Sequence, residues 1–242
     1  MQKVHLSAAI SDDPLPQTIM DGLEQVIALT IRRRDLASAS RSLLVGLSGI
    51  DGSGKGYLAR HIATALRNRG FGVASIMADD WAAPPAQRFD PARPAEHFYE
   101  HGFRFDEMFR NLILPLRSRR STRIEALRAN SSQSELYPSV FEFRDVDIIL
   151  LEGIFLFKRE YREYFDLAIW VDCSFETAMQ RAVHRAQEGL PPDETRRTYE
   201  TIFFPAQQLH FRRENPRGVA DFIINNDPAQ TSGTKLHFEK QD

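Results

Sequence analysis

The sequence predicts an α/β fold with a parallel sheet of about five strands, helices on both faces, a lid and a small hairpin arm. Short apolar runs alternate with segments of helical spacing along most of the chain, which is the pattern of successive strand–helix units. The first apolar run leads through a glycine-rich turn into a helical segment. Hydrophobic residues make up 42% of the 242 residues, enough for one sizeable core.

The predicted strands are short and mostly apolar, as expected for strands buried on both faces of a parallel sheet. They are residues 43–47, 73–77, 146–151, 167–171 and 221–224. Segments with apolar residues at helical spacing are predicted as helices. Beyond the helix after the glycine-rich turn, they are residues 17–35, 95–117, 174–188 and 193–213. Residues 122–129 and 137–143 are predicted to form the hairpin arm.

One principal domain, residues 41–227, is expected from this order of elements. Residues 1–40 are predicted to be an appendage, consisting of a loose arm over 1–15 and the first helix. Residues 181–198 are predicted to form the lid, and residues 228–242 a loose polar tail.

Composition excludes several classes of protein. The 31 Lys and Arg residues nearly balance the 33 Asp and Glu residues, so no overall basic field suggests nucleic-acid binding. A single cysteine, Cys173, cannot form an intrachain disulfide and favours a reducing compartment. No apolar run approaches the length of a membrane-spanning helix. We therefore expect a cytoplasmic protein without nucleic-acid or membrane partners, and a homo-oligomer is left open.

The glycine-rich turn fits the phosphate-binding loop motif G-x-x-x-x-G-K with Gly49, Gly54 and Lys55. It has the strand-before, helix-after context that this motif (the P-loop, residues 49–55) requires. Backbone N–H groups, the helix N-terminus and the lysine ammonium then favour a bound phosphate. Position 56, where a Ser or Thr hydroxyl would bind Mg²⁺, holds Gly56. We expect ATP and Mg²⁺ as cofactors, with ATP contacted by Gly49, Ile50, Asp51, Gly52, Ser53, Gly54, Lys55, Gly56 and Tyr57.

Acidic residues end two of the predicted strands. Glu152 follows the apolar run 146–151, where a carboxylate is placed to hold Mg²⁺ beside the phosphates. Asp79 and Asp80 follow the run 73–77. If that strand lies beside the P-loop strand, its carboxylate can orient an acceptor hydroxyl and take its proton. Helix capping or turn formation remains an alternative role for both aspartates.

Several motifs together resemble the uridine kinase branch of the phosphoribulokinase/uridine kinase superfamily. The resemblance spans residues 43–227 and preserves the order of the family's motifs. These are Gly49–Lys55, Asp79-Asp80-Trp81, Phe105-Asp106, Leu151-Glu152-Gly153-Ile154-Phe155, Arg181-x-x-x-Arg185 and Ala220-Asp221-Phe222-Ile223-Ile224.

The resemblance implies a role for each motif. Asp79 corresponds to the family's catalytic carboxylate. Together with Glu152 it would also contact the metal. Asp79, Glu152 and Lys55 form the expected catalytic set. Arg181 and Arg185 correspond to lid arginines that embrace the phosphates of ATP. Asp106 resembles the residue that holds ribose hydroxyls. The expected acceptor-binding residues are Asp80, Trp81, Tyr99, His101, Phe105 and Asp106.

The implied activity is an ATP-dependent kinase that transfers the γ-phosphate to a hydroxyl of a small molecule, a nucleoside of the uridine or cytidine type first. The chain departs from the family at Gly56 and at Ala186, which stands where the lid motif has Asp. Its hairpin arm also lacks the Tyr-Asp-Phe…His pattern that reads a pyrimidine. The alternatives are a kinase for another small alcohol, of the sugar or vitamin type, and a nucleotide-binding regulator with little catalysis.

A competing motif occurs at His97-Phe98-Tyr99-Glu100-His101, which fits H-x-x-E-H, a signature of zinc peptidases. On a helix His97 and His101 would share one face and could bind one metal ion. The motif fixes only three residues, and its segment also connects Asp79 to Phe105-Asp106. We therefore weigh it as a minor alternative that bound zinc would support.

Overall fold

The computed structural model describes residues 16–130, 135–186, 189–228 and 235–236. The predicted arm at residues 1–15 lies outside the described residues. So do the hairpin tip at 131–134, two residues of the predicted lid at 187–188, and most of the predicted tail.

The strands are close to those predicted, with ends shifted by one or two residues. In chain order they are β1 (Leu43–Gly49), β2 (Val73–Met77), β3 (Thr122–Ala129), β4 (Leu136–Phe143), β5 (Ile148–Gly153), β6 (Leu167–Asp172), β7 (Phe222–Asn225) and β8 (Lys235–Leu236). The two strands of the hairpin arm, β3 and β4, pair only with each other.

The main sheet has the strand order β2-β5-β1-β6-β7-β8. Its first five strands are parallel, which confirms the predicted α/β architecture. β8 pairs antiparallel with β7, so two residues of the segment predicted to be a loose tail belong to the sheet. β5 lies between β2 and β1, so the strand that leads to Asp79 and Asp80 does not pair with the P-loop strand.

Ten α-helical segments surround the sheet in the described part of the chain. They are α1 (Gln17–Leu36), α2 (Lys55–Asn68), α3 (Pro85–Arg88), α4 (Pro94–His101), α5 (Phe105–Met108), α6 (Leu114–Arg119), α7 (Phe175–Arg185), α8 (Pro192–Thr198), α9 (Phe204–Glu214) and α10 (Pro216–Val219). Short 3₁₀ turns cover Ala78–Trp81 and Arg162–Tyr164. Helix 95–117 was predicted as one element, but the chain breaks it between His101 and Phe105.

Two π-helical turns join these segments into longer helices. Phe109–Ile113 connects α5 to α6, and Tyr199–Phe203 connects α8 to α9. Each turn comes just before a proline, Pro115 or Pro205. A proline has no N–H to donate and its ring collides with the carbonyl four residues earlier, so a wider turn relieves the conflict. Such turns often mark functional sites.

Apolar side chains cover both faces of the sheet, as the continuous apolar runs predicted. On one face, residues of β1, β5 and β6 pack against α1 and α2. On the other, alternate residues of the same strands pack against α4, the α5–α6 helix, α7 and α9. Trp81, which follows β2, stacks on Phe141 of the hairpin with ring centroids 5.4 Å apart. No helix among the described residues is both long and apolar enough to cross a membrane.

Candidate active site

The P-loop has the backbone conformation that a phosphate-binding turn requires. β1 ends at Gly49 and α2 begins at Lys55. Gly52 and Gly54 between them have φ angles of 79° and 90°, a region that side chains with a β-carbon rarely adopt. At Gly49 a β-carbon would stand 2.6 Å from the carbonyl oxygen of Val171. Glycine at these three positions is therefore a steric requirement of the loop.

Three strand ends bring the predicted acidic residues to the P-loop. Glu152 is the fifth residue of β5, opposite Leu47 of β1 on one side and Met77 of β2 on the other. Asp79 and Asp80 lie in the 3₁₀ turn that begins directly after Met77. Carboxyl ends of parallel strands share one edge of the sheet, where ligands of such folds bind.

Lys55, Asp79 and Glu152 lie close enough for the lysine charge to shift the pKa values of both carboxyl groups. Burial raises the pKa of Glu152 to about 7, and the charge of Asp79 adds to the rise although Lys55 opposes it. Burial also raises the pKa of Asp79 above its ordinary value, with a contribution from Asp51 and an opposing one from Lys55. A lysine among crowded carboxylates is an arrangement that a bound cation would stabilise.

The donor set fits Mg²⁺ delivered with a nucleotide. Mg²⁺ prefers oxygen ligands and commonly uses one or two carboxylates, substrate phosphates and waters, and Asp79 and Glu152 supply carboxylates at the P-loop. In the part of the chain that the structure describes, no three acidic, histidine or cysteine residues form a metal-binding group by themselves. Such a site would need the oxygen atoms of the nucleotide. Which residues hold the metal stays a prediction.

Asp80 has a different environment from Asp79. Arg128 of β3 donates from Nε to Asp80 Oδ1 over 2.9 Å. Burial raises the pKa of Asp80, and the charge of Arg128 opposes that rise. The ion pair attaches the hairpin arm to the turn after β2, so Asp80 already has a structural partner.

The two predicted lid arginines contact the P-loop in different ways. The Nη1 of Arg181 lies 3.3 Å from the carbonyl oxygen of Ser53, and its Nη2 donates to the carbonyl of Asn226 over 2.9 Å. Arg185 donates to the carboxylate of Asp51 over 3.3 Å. Arg181 thus supports the loop backbone, while Arg185 pairs with a side chain of the loop. Contact of either residue with ATP stays a prediction.

The predicted acceptor-binding residues do not gather in one open pocket. Trp81, Tyr99 and Phe105 are buried in the core, and the hydroxyl of Tyr99 donates to Glu214 over 3.2 Å. His101 and Asp106 are exposed, and Asp106 accepts a hydrogen bond from Tyr161 over 2.7 Å. These aromatic side chains pack in the core, which accounts for their occurrence in this segment. Their contact with an acceptor stays a prediction.

The H-x-x-E-H segment does not assemble a metal centre among the described residues. It lies on α4, and the rings of His97 and His101 are 4.6 Å apart. However, His97 Nε2 is hydrogen-bonded to the carbonyl of Gln87 at 2.9 Å, and Glu100 accepts from Arg213 over 3.1 Å. The structure therefore gives no support to the peptidase alternative.

Sequence reasoning missed three residues that contact the P-loop from distant elements. Asn226 donates from Nδ2 to the carbonyl of Ser53 over 2.7 Å. Tyr199 donates to the Asp51 carboxylate over 2.9 Å, and Gln207 accepts from the Asp51 N–H over 3.1 Å. One sequence signal could have pointed to Tyr199 and Gln207. Both are polar residues within the apolar pattern of the predicted helix 193–213.

Comparison with known proteins gives a family. The model of the Phosphoribulokinase / Uridine kinase family matches residues 44–191, more than half of the chain. That match covers the P-loop, Asp79, Glu152 and both predicted lid arginines. No curated protein has a significantly similar sequence.

Solved structures share the fold at low sequence identity. A possible uridine kinase from Bacillus stearothermophilus aligns with a TM-score of 0.66 and 19% identity, over 85% of this chain and 98% of its own. D-glycerate 3-kinase from Cryptococcus neoformans aligns with a TM-score of 0.64 and 12% identity, over 89% and 99%. A fructose transport system kinase candidate from Silicibacter sp. TM1040 aligns with 0.64 and 17%, over 79% and 95%.

Proposed function

The chain belongs to the phosphoribulokinase/uridine kinase family, and from this membership we propose that it transfers a phosphoryl group from ATP to a hydroxyl of a small molecule, a nucleoside first. The observation that carries the proposal is the convergence of Lys55, Asp79 and Glu152 at one edge of the sheet. Phosphoryl transfer needs positioning and stabilisation of charge more than covalent chemistry, and these residues supply both.

Each residue has a distinct task in the proposed reaction. The P-loop N–H groups and Lys55 bind the phosphates and offset their negative charge. Asp79 accepts a hydrogen bond from the acceptor hydroxyl and takes its proton as the hydroxyl oxygen bonds to the γ-phosphorus, while the bond from that phosphorus to the β–γ bridging oxygen breaks and ADP leaves. Mg²⁺ held by Asp79 and Glu152 would further neutralise the phosphate oxygens. In the nucleotide-free protein, burial raises the pKa of Asp79 above its ordinary value.

The candidate acceptors are ranked by the motifs of the chain and by the names of the kinases that share its fold. A nucleoside is the first candidate because the chain resembles uridine kinases in its ordered motifs. A hydroxy acid and a sugar follow, because kinases named for glycerate and fructose have the same fold. The resemblance at these identities concerns the fold, so the acceptor must be measured.

The test is an acceptor screen with ATP and Mg²⁺. Uridine, cytidine, a purine nucleoside, D-glycerate, fructose and a vitamin alcohol are offered separately, and the phosphorylated product is identified by mass spectrometry. Phosphorylation of uridine or cytidine supports the full proposal. Phosphorylation of another alcohol alone keeps the kinase activity and excludes the nucleoside.

A second candidate function rests on Gly56. The missing hydroxyl removes one protein ligand for Mg²⁺ at the P-loop, which favours a nucleotide-binding regulator with little catalysis. Tight binding of ATP with no product from any acceptor in the screen would support this function and contradict the kinase.

A further inference from the structure

Asp51 places a carboxylate in the loop that is predicted to bind phosphates, where its negative charge would repel a polyanion. In this structure the carboxylate has three hydrogen-bond donors. Tyr199 Oη donates to Oδ2 over 2.9 Å, Arg185 Nη2 donates to Oδ1 over 3.3 Å, and the N–H of Gly52 donates to Oδ1 over 2.9 Å. The Asp51 N–H itself donates to Gln207 Oε1 over 3.1 Å.

These partners connect the P-loop to the predicted lid and to the helix that follows it. Arg185 is the last residue of α7. Tyr199 begins the π-helical turn between α8 and α9, and Gln207 lies on α9. Arg185 Nη2 is also 3.2 Å from the hydroxyl of Tyr199. The Asp51 carboxylate is therefore hydrogen-bonded to Arg185, within the predicted lid, and to Tyr199, directly after it.

Tyr199 and Gln207 are both buried, and Gln207 carries a polar atom that is unsatisfied among the described residues. Tyr199 is fully buried and Gln207 is 2% exposed. The Nε2 of Gln207 has no hydrogen-bond partner within the described part of the chain. A buried, unsatisfied amide lowers stability, which an apolar side chain of similar size would not. The side-chain oxygen of Gln207 accepts a hydrogen bond from the Asp51 N–H, which accounts for a polar side chain at this buried position.

We propose that Tyr199 and Gln207 are positioning residues for nucleotide binding, which hold Asp51 in place while Arg185 leaves it for a phosphate of ATP. The inference rests on the proposed function, because it assumes that ATP binds the P-loop. Arg185 can pair with Asp51 or with a phosphate. When it pairs with the phosphate, Tyr199 and Gly52 still satisfy the Asp51 carboxylate. Without the tyrosine hydroxyl, release of Arg185 leaves Asp51 short of donors.

The physical state of Asp51 supports this exchange. Burial alone would raise the pKa of Asp51, but the charges of Lys55 and Arg185 outweigh it and hold the pKa below its ordinary value. Asp51 is therefore ionised at neutral pH and competes with a phosphate for Arg185. Lys55 stays near to offset part of its charge.

The test measures equilibrium binding of ATP and of adenosine to variants, by calorimetry, without any acceptor. Tyr199→Phe keeps the ring, whose packing on Phe203 and Phe204 should preserve the fold. Gln207→Met keeps the length of the side chain and removes its acceptor. We expect each to weaken ATP binding about 3- to 10-fold, the effect of one net hydrogen bond, and to leave adenosine binding unchanged. Gln208→Met, at the exposed neighbouring residue, is the matched control and should match wild type.

A double-mutant cycle separates positioning from simple loss of packing. In an Asp51→Asn background the effect of Tyr199→Phe on ATP binding should fall below about 2-fold, because the charged partner is gone. An equal loss in both backgrounds, or an equal loss for adenosine, would overturn the inference. Circular dichroism confirms the fold, and Tyr199→Phe carries the test if Gln207→Met does not fold. If wild type binds ATP but phosphorylates nothing, the proposed function fails while the inference survives.

Discussion

The carboxylate of Glu152 faces Gly56, with its Oε1 3.7 Å from where a β-carbon at position 56 would stand. The position that lacks the metal-binding hydroxyl is therefore next to an acidic side chain. That distance is an ordinary van der Waals contact, so a β-carbon at position 56 fits beside Glu152 without displacing it.

Gly56→Ser should lower the Mg²⁺ concentration that gives half-maximal turnover at saturating ATP. The new hydroxyl adds a protein ligand to a metal held mainly by the nucleotide. Gly56→Ala is the matched control, since it adds the β-carbon without the oxygen. If the serine variant needs as much Mg²⁺ as wild type or more, the missing hydroxyl is not a simple missing ligand and the regulator function gains support.

Asp79→Asn should lower kcat by at least about 100-fold while ATP binding is retained. The amide has the size of the carboxylate but cannot accept the proton of the acceptor hydroxyl. Asp80→Asn should have a smaller effect on kcat, because Asp80 is paired with Arg128 at 2.9 Å. Steady-state kinetics of both variants decides which carboxylate acts: a crippled Asp80→Asn beside an active Asp79→Asn would assign the role to Asp80.

Glu152→Gln should raise the free energy of unfolding of the nucleotide-free protein at pH 8 by about 1–3 kcal/mol, and much less at pH 4.5. The pKa of Glu152 is raised to about 7 from 4.5. Between those values the folded protein holds a proton that the unfolded chain has lost, so stability falls as pH rises toward 7. A glutamine side chain does not ionise, so the Glu152→Gln variant does not lose stability in this way as the pH rises.

Urea unfolding at the two pH values measures this effect. Glu163→Gln, at an exposed glutamate, controls for the change in net charge. A Glu152→Gln variant that is less stable than wild type at pH 8 would contradict the assignment of Glu152 as a destabilising buried carboxylate.

His210→Phe should make the protein more resistant to acid. His210 is 2% exposed and neither ring nitrogen has a hydrogen-bond partner among the described residues. Burial lowers its pKa to about 3 from 6.5, with a contribution from Lys158. As pH falls below 6.5 the unfolded chain gains a proton that the folded protein does not, so stability falls.

Thermal unfolding at pH 7 and pH 5 compares His210→Phe with wild type and with His184→Phe, a substitution at an exposed histidine. Phenylalanine suits a site whose ring neighbours include Tyr99 and Phe155. We expect a stability gain that grows at pH 5. A variant that loses as much stability between pH 7 and pH 5 as wild type would show that His210 is not the acid-sensitive group.

The sequence predicted the parts of the structure that local rules decide. The strand–loop–helix unit of β1, the P-loop and α2 could be recognised because its glycines and apolar spacing occur within some 25 residues. The order of the strands could not, since insertion of β5 between β1 and β2 depends on long-range pairing. The break after His101 also follows from packing of the aromatic segment, which local spacing does not report.

The candidate site was predicted to a similar extent. That Lys55, Asp79 and Glu152 lie close together could be predicted because each follows a recognisable strand, and their roles stay predictions. Tyr199, Gln207 and Asn226 come from the last quarter of the chain and reach the P-loop only through the fold. No motif marks them, and the helix that carries two of them is continued through a π-helical turn that apolar spacing does not predict.

Turnover of Lys55→Ala with the acceptor found in the screen tests the central claim most directly. Lys55 is the one lysine of the P-loop, and its charge acts on Asp51, Asp79 and Glu152. Loss of that charge should abolish transfer of phosphate from ATP, while Lys55→Arg keeps the charge and should retain part of the activity. Wild-type turnover in Lys55→Ala would contradict the claim that this loop binds the phosphates of the reacting nucleotide.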